Sequence, residues 1–565
     1  MIARQLETRL QQAVGAELSD ADLARVLLRP CDPKFGDYQS NALMALAKQW
    51  QMNPRELAKK VAARLDVGEW CERVEIAGAG FLNFHLASSA VKSQLQAAAR
   101  GEHLFYELAT EPRTVVIDFS SPNVAKPMHV GHIRSTILGD ALARGLRLLG
   151  HRVITDNHIG DWGTQFGMLL LGWKTRLDEA ALADDPIAEM ERLYKAVQAD
   201  ESLRENARAE LVKLQSGDAE NRALWQQMID LSQEQFDTVY HRLGVEFDFT
   251  LGESFYNDRL MDVVAELTEQ GIAEESEGAM VVNFPDDPKL KKQPAIVRKS
   301  DGAANYTTTD LATLEHRQME WAPDEVLYVT DGRQQLHFQQ LFAIHRRWRP
   351  AVRSRLVHVW FGSILGPDRK PFKTRSGEVV RLAALLDEAE ERALAVVTQK
   401  NPELDEATRR EIARIIGLGA LKYADLSNNR QSDYIFDWDK MLALQGNTAP
   451  YLQYAYTRVR SIFRKGGVET VAETDIRLDE PEELALAKHL LNFGMTLETM
   501  AVEHRPNYLC DYLYKLAGHF AAFYEACPVL KAGAEQQSRL ALCELTARVL
   551  KEGLGVLGIE VTEQM

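Results

Sequence analysis

The chain has 565 residues, 45% hydrophobic and 26% charged, the proportions of an ordinary globular protein and unlike those of collagenous, repetitive or disordered chains. At roughly 100 to 200 residues per domain, about three to five domains are expected. The formal charge of 66 minus 82, or −16, argues against a general affinity for polyanions, because such binding draws on Lys and Arg.

The start, Met1-Ile2-Ala3-Arg4-Gln5-Leu6-Glu7, carries charges where a secretory signal would be apolar. Apolar runs such as Met168 to Leu171 fall far short of the roughly 20 residues that span a bilayer. A cytoplasmic protein with no membrane attachment is expected. Cys31, Cys71, Cys510, Cys527 and Cys543 are scattered with no C-x-x-C pair, so they read as reduced structural thiols, and no dedicated zinc site is expected.

Up to about Glu111, helical periodicity gives way to extended stretches. Asn53-Pro54-Arg55-Glu56-Leu57 reads as a cap, a first-turn proline and a helix running to Leu65. Val74-Glu75-Ile76 and Phe81 to Leu86 alternate about Gly78-Ala79-Gly80, as two half-buried strands around a turn. Residues 1–110 are therefore expected to form a small α+β domain, bounded by Glu111-Pro112-Arg113.

Val115 to Phe119 then reads as a strand, Ser120 to Met128 as a proline-punctuated loop, and Ile133 to Leu149 as a helix stopped by Gly150. With Val153-Ile154-Thr155 these make a βαβ unit, which points to a doubly wound parallel sheet of the α/β class. A charged helical insertion around residues 172–290 follows. Val281 to Phe284, Val326 to Val329 and Leu356 to Val359 are expected to return the chain to the sheet, completing a domain over residues 111–381. From Leu382 to the end the strand signal fades, and an all-α domain or bundle is expected over residues 382–565.

The segment Asn123-Val124-Ala125-Lys126-Pro127-Met128-His129-Val130-Gly131-His132 joins a strand end to a helix start. Unpaired amides and the helix dipole favour an anion there. Two imidazoles can donate hydrogen bonds to a phosphate, and Gly131 would let a ligand approach the backbone. By itself His-x-x-His also fits a metal pair or two surface histidines. No G-x-x-x-x-G-K-[ST] occurs, which disfavours a P-loop NTPase.

His-x-Gly-His at such a junction resembles the signature loop of class I aminoacyl-tRNA synthetases and related nucleotidylyltransferases. The wider stretch Asp118 to Pro127 resembles that of arginyl-tRNA synthetases. So do Asn157 to Gly167, Tyr306-Thr307-Thr308-Thr309-Asp310, Gln334-Gln335-Leu336-His337 and Gly446 to Ala455, so the likeness covers essentially the whole chain.

The resemblance implies a Rossmann-like catalytic domain, an N-terminal domain used against the tRNA corner around Lys34 to Tyr38, and a helical domain that reads the anticodon. It implies that His129, Gly131, His132, Lys126 and His337 bind ATP, with His129, His132 and Lys126 catalytic. A second lysine-rich loop is present only in altered form, Lys370-Pro371-Phe372-Lys373-Thr374-Arg375-Ser376-Gly377, in which Lys373 and Arg375 would complete the catalytic set. Asp118, Asn123, Tyr306, Asp310 and Gln334 would bind L-arginine; Asp310 could equally cap a helix beginning at Leu311. Tyr451, Tyr454 and Arg458 would bind tRNA, and Tyr456 reads better as helix core. ATP is expected as a substrate accompanied by Mg²⁺, tRNA(Arg) and L-arginine as the other partners, and a monomer as the working form. A synthetase for another amino acid, a silent tRNA-binding paralogue and a small-metabolite adenylyltransferase are the competing readings.

Overall fold

A computed structural model describes residues 1–372, 380–471 and 474–565. The chain forms two compact units. One comprises Met1–Leu108, Ala443–Gly555 and Glu560–Met565; the other comprises Ala109–Leu442 with Val556–Ile559.

The second unit is built on a parallel sheet whose strand order is Arg355–His358, Glu325–Val329, Thr114–Phe119, Arg152–Asp156. Its two middle strands are almost wholly buried, which is why they read as unbroken apolar runs rather than alternating ones. The crossover between the adjacent strands Thr114–Phe119 and Arg152–Asp156 is the helix Val130–Leu148. It lies so close to the sheet that a Cβ on Gly139 would sit 2.2 Å from the Phe119 ring. Glycine is required there by contact, not by backbone angle.

The expectation that Val281 to Phe284 rejoins this sheet is not met. Ala279–Val282 is instead the middle strand of a separate three-stranded antiparallel sheet between Glu274–Ser276 and Ala295–Arg298. Glu277 and Gly278 both have positive φ, 51° and 79°, and so close a two-residue hairpin. A strand entered through such a hairpin must run antiparallel to its predecessor. The inner face of this small sheet, Met280, Val282, Ala295 and Val297, shares one core with Val116, Val326 and Leu341.

The charged segment after the second strand forms helices from Gln165–Arg176 to Ala219–Leu243. The helices Leu382–Lys400 and Glu406–Leu426 also belong to this unit. Arg134, which falls on the polar side of its helix in the sequence pattern, is 1% exposed and ion-paired at 3.0 Å with the fully buried Asp425. Its guanidinium also donates to the carbonyls of Gly362, Arg430 and Ser432, so a cation ties the signature helix to three other segments.

In the first unit, an antiparallel sheet in the order Arg29–Pro30, Tyr38–Ser40, Phe81–Leu86, Cys71–Ala77 packs with helices, as the N-terminal pattern predicts. The helix Pro54–Ala62 is capped by Asn53, whose side chain accepts from the amides of Arg55 and Glu56, and it stops short of Leu65. The remainder of the unit is helical, from Ala449–Gly466 to Gln536–Val556.

Candidate active site

The loop from Ser120 to His129 leaves the carboxyl edge of the parallel sheet, the usual ligand position in such folds. Ser120, Ser121 and Ala125 all have positive φ, 70°, 48° and 60°. Each costs of order 1 kcal/mol for a residue with a Cβ, and side chains hold all three in place, the Ser120 amide donating to Ser135 Oγ at 2.8 Å. The Ser121 amide donates to Asn157 Oδ1 at 3.0 Å, and the Ala125 amide to Ser232 Oγ at 3.0 Å. Strain held in this way is characteristic of functional loops.

His129 caps the helix Val130–Leu148. Its Nδ1 accepts from the Gly131 amide at 3.0 Å, while His132 Nδ1 accepts from the amide of His129 at 3.0 Å. The rings lie 4.0 Å apart. An amide nitrogen can only donate, so both Nδ1 atoms are unprotonated, and the neutral ring carries its proton on Nε2. Burial keeps both rings neutral: His132 is pushed down to about 3 by burial and then by His129, and His129 is lowered by burial and by Arg333. A pair of fixed Nε2–H donors results.

Lys126 is exposed, with its Nζ 5.7 Å from the centre of the Tyr194 ring. Lys373 and Arg375 lie outside the described residues. The chain on either side of them is anchored: Phe372 stacks on Phe436 at 4.5 Å, and the Val380 carbonyl accepts from the Val130 amide at 3.0 Å. The segment that follows the second loop is thus hydrogen-bonded to the first helical residue of the histidine motif.

Parallel register sets Tyr328, Asp118 and Asp156 side by side across three strands. Arg317, fully buried, reaches this row from the helix Tyr306–Trp321, donating through Nη2 to Asp118 at 2.8 Å and to Asp156 at 2.7 Å. Burial pulls the guanidinium pKa down, but Asp118 and Asp156 outweigh it and hold it well above its ordinary range. Asp118 also accepts from the Ser121 hydroxyl at 2.9 Å, so both its oxygens are engaged within the protein.

The same helix face carries Tyr306 and Asp310, at helical spacing with Arg317. Because the helix begins at Tyr306, Asp310 lies inside it and does not cap a helix starting at Leu311. Asp310 accepts from His337 Nε2, and the His337 ring lies 4.9 Å from that of Tyr306, which is 59% exposed. His337 is therefore gathered with residues expected to take arginine, and no ring or hydrogen-bond contact joins it to His129 or His132 among the described residues. Asn123 bridges to Gly160, and Gln334 is exposed just before the helix Gln335–Trp348.

Sequence reasoning assigned no role to several neighbours. Glu253 stands near His158, Asp310 and Asp161; burial first, with Asp310 and Asp161 adding, pushes its carboxyl up to about 7. His158 Nδ1 meets the Leu251 carbonyl at 2.9 Å, and its buried Nε2 has no hydrogen-bond partner among the described residues. The buried Tyr256 hydroxyl and His337 Nδ1 likewise have none. The Asn157 to Gly167 stretch offered a signal for His158 and Asp161; Glu253 and Arg317 look locally like ordinary helix and loop charges.

On the helix Ala449–Gly466, Tyr451, Tyr454 and Arg458 share one face. Tyr454 is 45% exposed, Tyr451 packs edge-on against Tyr514 at 5.6 Å, and the Arg458 guanidinium lies 4.7 Å from the Tyr524 ring centre. Tyr456 is buried and donates to Glu563 at 2.9 Å, as a core residue does.

Three family profiles match the chain: "Arginyl tRNA synthetase N terminal domain" over residues 2–86, "tRNA synthetases class I (R), catalytic domain" over 94–438, and "DALR anticodon binding domain" over 452–565. The chain is 47% identical over 574 residues to the arginine–tRNA ligase of Proteus mirabilis, covering 99% of each. It is 46% identical over 575 residues to that of Escherichia coli, again covering 99% of each. Among solved structures it is similar to the Thermus thermophilus arginyl-tRNA synthetase, with TM-score 0.87 and 27% identity over 100% of both chains. The Plasmodium falciparum arginyl-tRNA synthetase gives TM-score 0.84 and 28% identity, over 100% of this chain and 99% of that one.

Proposed function

The chain belongs to the arginyl-tRNA synthetases, the ATP-dependent ligases that join L-arginine to tRNA(Arg), and on that premise we propose how its residues divide the work. The arginine carboxylate attacks the α-phosphate of ATP, forming arginyl-adenylate as pyrophosphate leaves. The 2′-hydroxyl of the terminal ribose then takes the arginyl group and releases AMP.

The observation that carries the assignment of the chemistry is the tautomer lock on His129 and His132. Both present an Nε2–H at a helix N-terminus, where charge on a transferring phosphoryl group is best met by fixed donors. Neutral donors suit this task because they need no counter-charge before ATP arrives. Gly131 allows His129 to fold over its own helix start. Lys126 adds a mobile cation, and Lys373 and Arg375 would close over the pyrophosphate. Mg²⁺ would enter on the ATP phosphates and neutralise part of their charge.

For arginine, Tyr306 and Asp310 on one helix face support a pocket that accepts hydrogen bonds from the guanidinium, with Asn123 and Gln334 placing the amino-acid end. Asp118 acts through Arg317, fixing the helix that carries Asp310, and not by direct contact alone. We assign His337 to this pocket as the partner of Asp310, rather than to ATP.

Tyr451, Tyr454 and Arg458 offer rings and a cation to unstacked bases and phosphates. We keep the functional division into residues 1–110 for the tRNA corner, 111–381 for chemistry and 382–565 for the anticodon. We propose a cytoplasmic monomer, the form that the resemblance implies. Among the described residues no helix is long and apolar enough to cross a membrane.

ATP–pyrophosphate exchange with each amino acid in turn, with and without tRNA, tests the reading. Exchange is expected with arginine alone and only when tRNA is present. Exchange without tRNA would remove the tRNA requirement, and its absence from folded enzyme under every condition would refute catalysis.

A further inference from the structure

The helix Pro186–Gln198 belongs to the charged insertion, yet two contacts tie it to the histidine loop. Ile187, Met190, Leu193 and Val197 are buried. Leu193 lies so close to the helix Gln165–Arg176 that a Cβ on Gly172 would sit 3.1 Å from its own. Packing of this kind leaves a helix little freedom to slide or turn.

The first contact is an ion pair. Asp185 caps the helix, its Oδ1 accepting from the Ala188 amide at 2.9 Å, while its Oδ2 accepts from Arg381 Nη1 at 2.9 Å. Glu191 lies 3.5 Å from the other terminal nitrogen of that guanidinium. The backbone around Arg381 is in turn bonded to the loop: the Val130 amide donates to the Val380 carbonyl at 3.0 Å and the Leu382 amide to the Met128 carbonyl at 2.9 Å. The insertion helix is thereby registered to the residues on both sides of His129.

The second contact is the ring of Tyr194, whose centre lies 5.7 Å from Lys126 Nζ. The Tyr194 hydroxyl is engaged elsewhere, accepting from Gln198 Nε2 at 3.3 Å, so the ring alone meets the lysine. Lys126 is exposed and has no hydrogen bond or ion pair among the described residues. A lysine left free would spread over many rotamers. A carboxylate in place of the ring would cancel the ammonium charge and repel the phosphates of ATP; a π face attracts the cation and leaves its charge for a phosphate.

We propose that Tyr194 is the positioning residue of Lys126: its ring holds one side of the ammonium beside the histidine loop and leaves the other sides to the phosphates of ATP during adenylate formation. This rests on the reading of Lys126 as a catalytic cation. The contact moves no proton and makes no covalent bond; it narrows the rotamers among which the charge must be found, which is a gain in orientation.

A double-mutant cycle in tRNA-supported ATP–pyrophosphate exchange by the full-length enzyme tests this. Y194L, which keeps apolar bulk and removes the π face, should lower kcat about fivefold, the loss of one exposed cation–π contact, with KM for arginine unchanged. Y194F keeps the face and should match wild type. In a K126M background Y194L should cost nothing further. A loss that persists undiminished in K126M would show Tyr194 acting through helix packing and would overturn the proposal, as would full activity of Y194L or an equal loss in Y194F. Full activity of K126M alone would remove the reading of Lys126, and the proposal with it. Y194M takes the place of Y194L in the cycle if that variant does not fold.

Discussion

A methyl group on residue 131 would lie 2.8 Å from Cε1 and 3.0 Å from Nδ1 of His129, inside any real van der Waals contact. The ring would have to swing away and release the Gly131 amide. Catalytic donors displaced by about 1 Å commonly cost of order 100-fold in rate. G131A should therefore lose about two orders of magnitude in pyrophosphate exchange, with its thermal midpoint nearly unchanged; full activity would mean that the His129 ring position is immaterial. The two imidazoles also fix a pH dependence. Their pKa values are depressed, His129 below the ordinary imidazole value near 6.5 and His132 to about 3, so both rings are neutral above that ordinary value. The rate at saturating arginine should then be flat from pH 6 to 8. Initial rates across that range check this, and a kcat that falls below pH 7 would show a protonated imidazole to be inactive at a pH where the structure keeps it neutral.

Arg317 shows how elements depend on one charge. It joins the helix carrying Tyr306 and Asp310 to two neighbouring strands through Asp118 and Asp156. Removing one member of a buried ionic group strands the others and costs about 3–5 kcal/mol. At roughly 2–4 °C per kcal/mol for a large domain, R317M should lower the thermal midpoint by about 10 °C. A loss of activity with no change in melting would instead make Arg317 a direct substrate contact. This triad was illegible in the sequence because it depends on register: Asp118, Asp156 and Tyr328 become neighbours only when three distant strands align. The βαβ unit and its histidine loop were legible because each signal is local: a β-branched run, a loop, then helical spacing closed by Gly150. Val281 to Phe284 was read as a strand; the strand ends at Val282 and has other partners, since alternation does not say which sheet a strand joins. Glu253 was hidden for a similar reason, its setting being made by residues almost a hundred positions earlier and nearly sixty later.

For the whole molecule, the net charge of −16 opposes tRNA, and a few local cations must overcome it. On the helix Ala449–Gly466, Arg460 is held by Glu544 and Glu563, and Arg464 lies 3.7 Å from Glu563. Arg458 has no ion pair among the described residues and stands over a ring beside the exposed Tyr454. Y454A and R458A should each raise KM for tRNA about tenfold, from a lost stacking or phosphate contact, without altering KM for arginine. Two salt effects then compete. Added salt screens repulsion from the acidic total, which helps tRNA approach, but it also removes the counterion-release gain at every phosphate contact, which weakens the bound complex. Contacts lie well within a Debye length and the net charge is spread over a large surface, so the contact effect should win. Raising KCl from about 50 to 200 mM should increase KM for tRNA by about 10- to 100-fold, and R458A should show a shallower dependence than wild type. If KM instead falls as salt rises, repulsion from the whole surface governs the encounter, and the Tyr451, Tyr454 and Arg458 face is not where tRNA gains its affinity.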